Sequence, residues 1–357
     1  MLVNWSLAEK FQKQLTLFDF LSIVTTFNFD LLQNLGASPQ LECWNFRDVY
    51  LFVMGVQEVL NWGIDVIRLL QLLTADFFVL FMKGITLLGN ETAYLIMMPF
   101  VLWCVDFRTG ARTGVVFLLS AYLNFVFKDM LAQPRPFILE PGLNLIEASG
   151  YGLPSGHAQG SLVFFGMLAL LIRKRWLTVI AMILILLIAF SRVYLGVHFP
   201  TDILGGWFLG GCLLFGYLKF GNRFEQIVAQ WSLWRQIAFL VATTGIMLIY
   251  NTHETIVILA AFFGVGIGTI LSVRWCYTQK PSSFSQHIVR LLTGLIIGAA
   301  IYVGLAFIFP KNGEPLYEPL RFARYFIMVL WFTTGAFWLF RHFEKTAKLD
   351  KQCLNEN

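Results

Sequence analysis

The chain has 357 residues, of which 57% are apolar and only 13% are charged, and its mean hydropathy is +0.69. Because soluble domains carry about 25% charged residues, this composition excludes a soluble globular protein and indicates an integral membrane protein. The net charge of +5 does not indicate a nucleic-acid partner, because the basic residues lie in short loops between apolar runs.

The first 90 residues predict helices that lie partly in the membrane interface. Segment 7–34 mixes charged residues with Phe and Leu, which is typical of amphipathic interfacial helices. Segment 50–88 is more apolar, but charged residues interrupt it at intervals. This second segment therefore predicts one tilted span together with an interfacial helix.

The apolar runs become regular from residue 91 onward. Nine runs without internal Asp, Glu, Lys or Arg predict nine membrane helices, and the upstream region predicts a tenth. Since a span needs about 20 residues, the shorter runs must borrow flanking residues that face protein or the interface. The runs cover residues 92–105, 113–127, 158–172, 176–190, 203–218, 236–252, 255–273, 291–310 and 325–340.

Loop charges predict the orientation of these helices. Arg and Lys are concentrated in alternate loops, whereas the loops between them, such as 251–254 and 311–314, are not enriched in cations. By the positive-inside rule the cation-rich loops are cytoplasmic, which places the polar motifs described next on the non-cytoplasmic side. The cation-rich loops contain Arg108, Arg112, Arg173, Lys174, Arg175, Lys219, Arg223, Arg274, Lys280, Arg341, Lys345 and Lys348.

The first polar motif runs from Lys128 to Pro136 and follows the apolar run 113–127. Pro134 and Pro136 flank Arg135 and disfavour helix there, so the segment is predicted to be extended and stiff. An arginine fork suits phosphate oxygens and a lysine adds a point charge, which makes Lys128 and Arg135 candidate phosphate ligands. By itself this pair is equally typical of interfacial cations whose stems lie in the bilayer.

The second motif is Pro154-Ser155-Gly156-His157, directly before an apolar run. Proline and serine suit the start of a helix, and glycine lets the backbone approach a ligand. Free N–H groups at a helix start attract anions, and His157 at that point could donate a proton to a leaving oxygen. An ordinary helix cap with an incidental histidine is the alternative for this motif alone.

The third motif begins with Ser191 and Arg192 and ends with His198 and Asp202. Pro200 predicts a first helical turn here, so the i,i+4 spacing brings the Asp202 carboxylate beside the His198 imidazole. A carboxylate on one ring nitrogen selects the tautomer and leaves the other nitrogen free to attack. An interfacial His–Asp pair that caps a helix is the alternative.

Together the three motifs have the order K-x6-RP, PSGH and SR-x5-H-x3-D. In this combination the chain resembles the type 2 phosphatidic acid phosphatase superfamily, which shares its site with vanadium haloperoxidases and bacterial acid phosphatases. The resemblance covers roughly residues 90–220 and leaves the first 50 residues and the four helices after residue 230 unassigned.

The resemblance implies a role for each matching residue. His198 is implied as the nucleophile that forms a phosphohistidine, Asp202 as the residue that orients it, and His157 as the general acid for the leaving oxygen. The phosphoryl oxygens would be held by Lys128, Arg135, Ser155, Gly156 and Arg192. No cofactor is implied, and because no carboxylate cluster with magnesium spacing lies near the motifs, activity without a metal is expected.

We therefore predict an all-α polytopic membrane protein with a six-helix lipid-phosphatase core and about four extra C-terminal transmembrane helices. The predicted organisation is an amphipathic N-terminal segment at 1–55, a catalytic core at 56–225 and a helical extension at 226–345. The predicted activity is hydrolysis of a lipid phosphate or pyrophosphate of phosphatidate, sphingoid or polyprenyl type. It would take place at the non-cytoplasmic face of a bacterial inner membrane or an endoplasmic-reticulum-type membrane. The predicted partners are this substrate and the bilayer, without nucleic acid, and the oligomeric state is left open.

The alternatives to this function are a phosphotransferase and a transporter or flippase. A phosphotransferase of the same fold would pass the phosphate from the histidine to a lipid or sugar acceptor. A transporter or flippase would need ionisable residues inside its spans, which the nine apolar runs lack.

A short stretch outside the three motifs, Leu87-Leu-Gly-Asn-Glu91, is similar to one in sphingosine-phosphate phosphatases and their bacterial relatives, but it is too short to name a substrate. Asn90-Glu-Thr92 within this region also matches a glycosylation pattern, which occurs often by chance.

Overall fold

The computed structural model describes residues 46–72, 75–275, 281 and 283–343. All regular secondary structure in these ranges is helical, so the predicted all-α fold is confirmed there, whereas segment 7–34 lies outside the described residues. The helices are α1 (Phe46–Gln71), α2 (Asp76–Leu87), α3 (Glu91–Phe100), α4 (Phe107–Leu131), α5 (Pro136–Leu139), α6 (Gly156–Ile172), α7 (Arg175–Tyr194), α8 (Pro200–Gly216), α9 (Asn222–Ala229), α10 (Leu233–Met247), α11 (His253–Arg274), α12 (Phe284–Ile308) and α13 (Tyr317–Leu330). Wider π-helical turns continue α3, α8 and α13 at Val101–Val105, Tyr217–Gly221 and Trp331–Gly335.

Six helical segments of the described chain are long and apolar enough to cross a membrane. A seventh span is formed if α2 and Glu91–Val105, which are bent by 55° at a short break, count as one. The six are Phe107–Leu139, Arg175–Tyr194, Pro200–Ala229, His253–Arg274, Phe284–Ile308 and Tyr317–Phe343. These segments confirm an integral membrane protein.

Each of the nine predicted apolar runs coincides with a helix, but two of these helices are shorter than a span. Helix α6 has 17 residues and α10 has 15, so at 1.5 Å per residue each is shorter than the hydrocarbon core of about 30 Å. Helix α6 does not extend beyond its C-terminal end, because the next residue, Arg173, adopts a left-handed conformation with φ of 57°. The upstream segment 50–88 forms two helices, α1 and α2.

The chain forms two compact units that are interleaved along the sequence. The first unit contains the described part of Met1–Gly84 together with Phe127–Ser155 and Phe190–Gly205, and the second contains the remainder. The predicted domains 1–55, 56–225 and 226–345 follow one another along the chain, unlike these interleaved units. The predicted domain boundaries stay a prediction.

The core of the first unit lies directly beside the third motif. Tyr194, Leu195 and Val197 are buried with Met82, and further apolar side chains from the loop 137–148 pack around them. Gly196 within this segment has φ of 70°, and a side chain there would collide with the Leu143 carbonyl oxygen. The three residues before His198 are therefore held in one conformation by apolar burial and by a turn that requires glycine.

The second unit contains most of the apolar helices and several hydrophobic clusters. One cluster joins Trp103 and Phe107 to Phe337 and Phe340, which lie more than two hundred residues later. The Trp103 indole also donates a hydrogen bond of 2.9 Å to the Phe332 carbonyl. The C-terminal helices thus share a core with residues 101–111, and they do not form a separate compact body.

Candidate active site

The His198–Asp202 pair forms as the sequence spacing predicts. His198 precedes α8 and Asp202 lies in its first turn, with 3.0 Å between His198 Nδ1 and Asp202 Oδ2. Both side chains are buried, with exposed fractions of 2% and 0%. Asp202 Oδ2 also accepts the Phe199 backbone N–H at 3.0 Å, as an acidic residue in a first helical turn commonly does.

The other nitrogen of the His198 ring contacts Arg135, and this contact determines the tautomer. The distance from Arg135 Nη1 to His198 Nε2 is 3.1 Å. A guanidinium can only donate hydrogen bonds, so Nε2 must accept and the ring proton must be on Nδ1, where it is donated to Asp202. The resting imidazole is therefore neutral with an unprotonated Nε2, which is the form that a nucleophile requires.

Arg135 makes a larger set of contacts than the sequence predicted. Its guanidinium donates to the carbonyl oxygens of Ser149, Gly150 and Val197 at 2.7, 2.9 and 2.8 Å, in addition to its bond with His198. These bonds use four of the five N–H groups that a guanidinium has. In this structure Arg135 therefore connects the loop before the second motif to the turn that carries His198.

The remaining cations and Ser155 lie in the same unit. Lys128 is in the last turn of α4, where its Nζ donates to the carbonyls of Tyr151 at 2.9 Å and Gly152 at 3.3 Å. Lys128 also interacts electrostatically with Arg135, Arg192 and Asp202. Arg192 is 5% exposed, and the Ser155 side chain is fully buried. The first unit thus brings together six of the eight predicted site residues: Lys128, Arg135, Ser155, Arg192, His198 and Asp202.

Gly156 and His157 belong to the second unit, where they begin α6. His157 Nε2 lies 2.7 Å from Asn90 Oδ1. A side chain at Gly156 would approach Asn124 Oδ1 to 3.1 Å, and Asn124 itself donates to Gln159 at 2.8 Å. A buried amide network, which continues from Gln159 to Ser120, therefore supports the start of α6.

Gln133 is a site residue that the sequence reasoning missed. Its Nε2 donates to Asp202 Oδ1 at 2.7 Å, so both carboxylate oxygens are engaged. The Ser155 backbone N–H donates to the Asp202 carbonyl at 2.9 Å. Asp202 therefore connects all three motifs within the first unit. The only sequence signal for Gln133 is its place directly before Pro134 and Arg135, which is not specific.

Replacing Gln133 with Leu is expected to lower kcat about tenfold, because one oxygen of a fully buried carboxylate loses its donor. The measurement is steady-state phosphate release, with folding checked by thermal denaturation in detergent. Gln57→Leu is the matched control, because Gln57 is exposed on α1 and donates to Asn61 in the same helix. An unchanged kcat in Gln133→Leu would contradict a role for this residue in orienting Asp202.

Two family models match the chain in sequence order. A model described as the PAP2 superfamily matches residues 110–226, which include all eight predicted site residues. A second, described as "PAP2 superfamily phosphatase, transmembrane extension", matches residues 256–348. The second match assigns to the same superfamily most of the C-terminal helices that the three motifs left unassigned.

Curated relatives extend the same similarity. The chain is 28% identical over 177 residues to an undecaprenyl-diphosphatase of Sulfolobus acidocaldarius, a match that spans 47% of this chain and 82% of that protein. It is 30% identical over 231 residues to sphingosine-1-phosphate phosphatase 2 of Mus musculus, which spans 59% of this chain and 64% of the mouse protein. It is 31% identical over 161 residues to phosphatidylglycerophosphatase B of Bacillus subtilis, which spans 41% of this chain and 77% of that protein. With this identity over more than three quarters of the Bacillus enzyme, the chain belongs to the PAP2 superfamily.

Proposed function

We propose that this membrane protein hydrolyses a lipid phosphate or lipid pyrophosphate through a phosphohistidine on His198. The observation that carries the proposal is the placement of the His198 ring, whose Nδ1 lies 3.0 Å from Oδ2 of the buried Asp202 and whose Nε2 lies 3.1 Å from Arg135 Nη1. The names of the relatives refer to a polyprenyl diphosphate, a sphingoid phosphate and a phosphatidylglycerophosphate. The proposed substrate class accordingly stays at lipids of phosphatidate, sphingoid and polyprenyl type.

In the first step His198 Nε2 attacks phosphorus, an N–P bond forms and the bond from phosphorus to the leaving oxygen breaks. Nε2 cannot bond phosphorus and accept from Arg135 at the same time, so the attack frees one Nη1 N–H for a phosphoryl oxygen. Lys128 and Arg192 supply further positive charge to the phosphoryl oxygens, and Asp202 balances the positive charge that develops on the imidazole.

The family motif assigns the proton transfers to His157, which follows Ser155 by two residues. His157 gives a proton to the leaving oxygen and later takes one from water as the water attacks phosphorus. The N–P bond then breaks, its electron pair returns to His198 Nε2, and inorganic phosphate leaves. For a pyrophosphate substrate the leaving group is the lipid monophosphate.

The test is a phosphate-release assay of the purified protein against a panel of lipid phosphates and pyrophosphates, with EDTA present. We expect turnover to survive EDTA, because among the described residues no three His, Cys, Asp or Glu side chains group as metal ligands. Orthovanadate should inhibit, since it occupies a site built for a phosphoryl group in transfer. A requirement for added magnesium would overturn the proposed chemistry, and transfer of phosphate to an added acceptor without release would favour the phosphotransferase.

The proposed site faces the non-cytoplasmic side of the membrane, and two exposed positions test this orientation. In a variant whose five native cysteines are replaced by alanine, Glu147→Cys should react with an impermeant maleimide from the non-cytoplasmic side. Lys174→Cys should react only from the cytoplasm, because it lies in the cation-rich loop 173–175. Labelling of Lys174→Cys in intact cells would reverse the orientation.

A further inference from the structure

The turn between α2 and α3 ends in Asn90, whose side chain does not cap the helix that follows. Asn90 is the N-cap residue of α3, and its backbone carbonyl accepts from Ala93 and Tyr94 as the first bonds of the helix. Asparagine at an N-cap normally accepts a backbone N–H with its side chain. The Asn90 side chain makes no such bond, and its Oδ1 lies 2.7 Å from His157 Nε2 instead.

We infer that Asn90 is a positioning residue for His157. Asn90 holds the His157 ring so that the Nδ1 atom of that ring performs the proton transfers. The inference rests on the proposed function, in which His157 is the general acid. An amide oxygen can only accept, so His157 Nε2 must carry a hydrogen in both the neutral and the cationic ring. The proton that the ring exchanges is then the one on Nδ1, which passes to the leaving oxygen and is later replaced from water.

The residue before Asn90 supports the same arrangement. A side chain at Gly89 would lie 2.8 Å from His157 Cδ2 and 2.8 Å from Ile188 Cγ2. Ile188 is fully buried, so a side chain at Gly89 would meet packed atoms of both residues. Gly89 thus gives the imidazole room to lie against the turn, and Asn90 fixes its direction by one hydrogen bond.

The stretch Leu87-Leu-Gly-Asn-Glu91 thereby has a structural role. Backbone bonds from Leu88 to Ile85, from Gly89 to Thr86 and from Asn90 to Leu87, each between 3.0 and 3.1 Å, close the turn tightly. The stretch therefore acts as a rigid support for the general acid, which is a role separate from substrate selection and from glycosylation.

The experiment compares two substrates that differ in their need for a general acid. A short-chain alkyl phosphate has a poor leaving group that must be protonated, whereas p-nitrophenyl phosphate leaves readily as the anion. Asn90→Leu is expected to lower kcat/KM for the alkyl phosphate by about tenfold, a part of the 10²–10⁴-fold that general acid catalysis contributes. With p-nitrophenyl phosphate kcat/KM should remain near the wild-type value. The comparison uses kcat/KM because kcat also includes the attack of water on the phosphohistidine, in which His157 takes part with either substrate.

Three further variants separate positioning from helix capping. Asn90→Asp keeps an acceptor oxygen at the same distance and should restore alkyl phosphate hydrolysis. Asn90→Ser can cap α3 but is too short to reach His157, so it should behave like Asn90→Leu. Gly89→Ala displaces the ring and should show the same leaving-group dependence, which provides a second variant if Asn90→Leu does not fold.

His157→Ala distinguishes failure of this inference from failure of the proposed function. We expect it to lose alkyl phosphate hydrolysis more severely than Asn90→Leu, and the double variant should be no worse than His157→Ala alone. If His157→Ala lowers kcat/KM for both substrates equally, the general-acid role is wrong and the inference falls with it. If His157→Ala discriminates between the substrates and the Asn90 variants do not, or if Asn90→Ser restores activity, only the positioning role is overturned.

Discussion

A His198→Ala variant is expected to lose catalysis by roughly 10⁴-fold or more, the loss typical of removing a covalent nucleophile from a group of residues that act together. No other described side chain offers the same combination of an unprotonated ring nitrogen beside a buried cation and a fully buried carboxylate on the opposite nitrogen. The measurement is steady-state phosphate release from a lipid phosphate.

A direct assay for the intermediate strengthens this test. Denaturing the enzyme during turnover should trap protein-bound phosphate that is stable in base and labile in acid, and His198→Ala should trap none. His342→Ala is the matched control, because its ring stacks on Trp338 in the C-terminal helices and has no place in the site. Substantial activity or phosphate trapping in folded His198→Ala would place the nucleophile elsewhere.

An Arg135→Lys variant is expected to lose at least about a hundredfold in kcat/KM, because two or more charge-assisted hydrogen bonds near the nucleophile are removed together. The guanidinium donates in four directions, to three carbonyl oxygens and to His198 Nε2. A lysine ammonium is a single point on a flexible stem and cannot reproduce this fork. The loop at Ser149 and Gly150 should loosen as well, so the thermal denaturation temperature should fall along with activity.

The same substitution elsewhere in the first unit provides the control. Arg68 on α1 makes a two-pronged ion pair with Glu140, at 2.6 and 2.7 Å from its Nη2, but its side chain is 56% exposed. Exposed pairs contribute little, so Arg68→Lys should leave activity and stability nearly unchanged. If Arg135→Lys behaves like Arg68→Lys, Arg135 is an interfacial anchor and both its structural and its phosphate-binding roles are wrong.

The class of the protein and the His198–Asp202 contact follow from the sequence without knowledge of the fold. Long apolar runs predict helices in a membrane because each residue contributes its own transfer free energy, whatever its neighbours in space. The His198–Asp202 contact was also predictable. Side chains four residues apart at the start of a helix lie side by side, whatever the rest of the fold. The order of the three motifs then pointed to the superfamily that the comparisons show.

The side chains that contact the motif residues from elsewhere in the chain follow from the three-dimensional packing. Gln133 reaches Asp202 across 69 residues and Asn90 reaches His157 across 67, and no periodicity in the sequence signals either contact. The four partners of Arg135 are three backbone carbonyls and one ring nitrogen, and the direction of a carbonyl depends on the path of the chain, not on residue type. The lengths of α6 and α10 depended in the same way on where the backbone turns, because composition shows that a run is apolar but not where its helix must end.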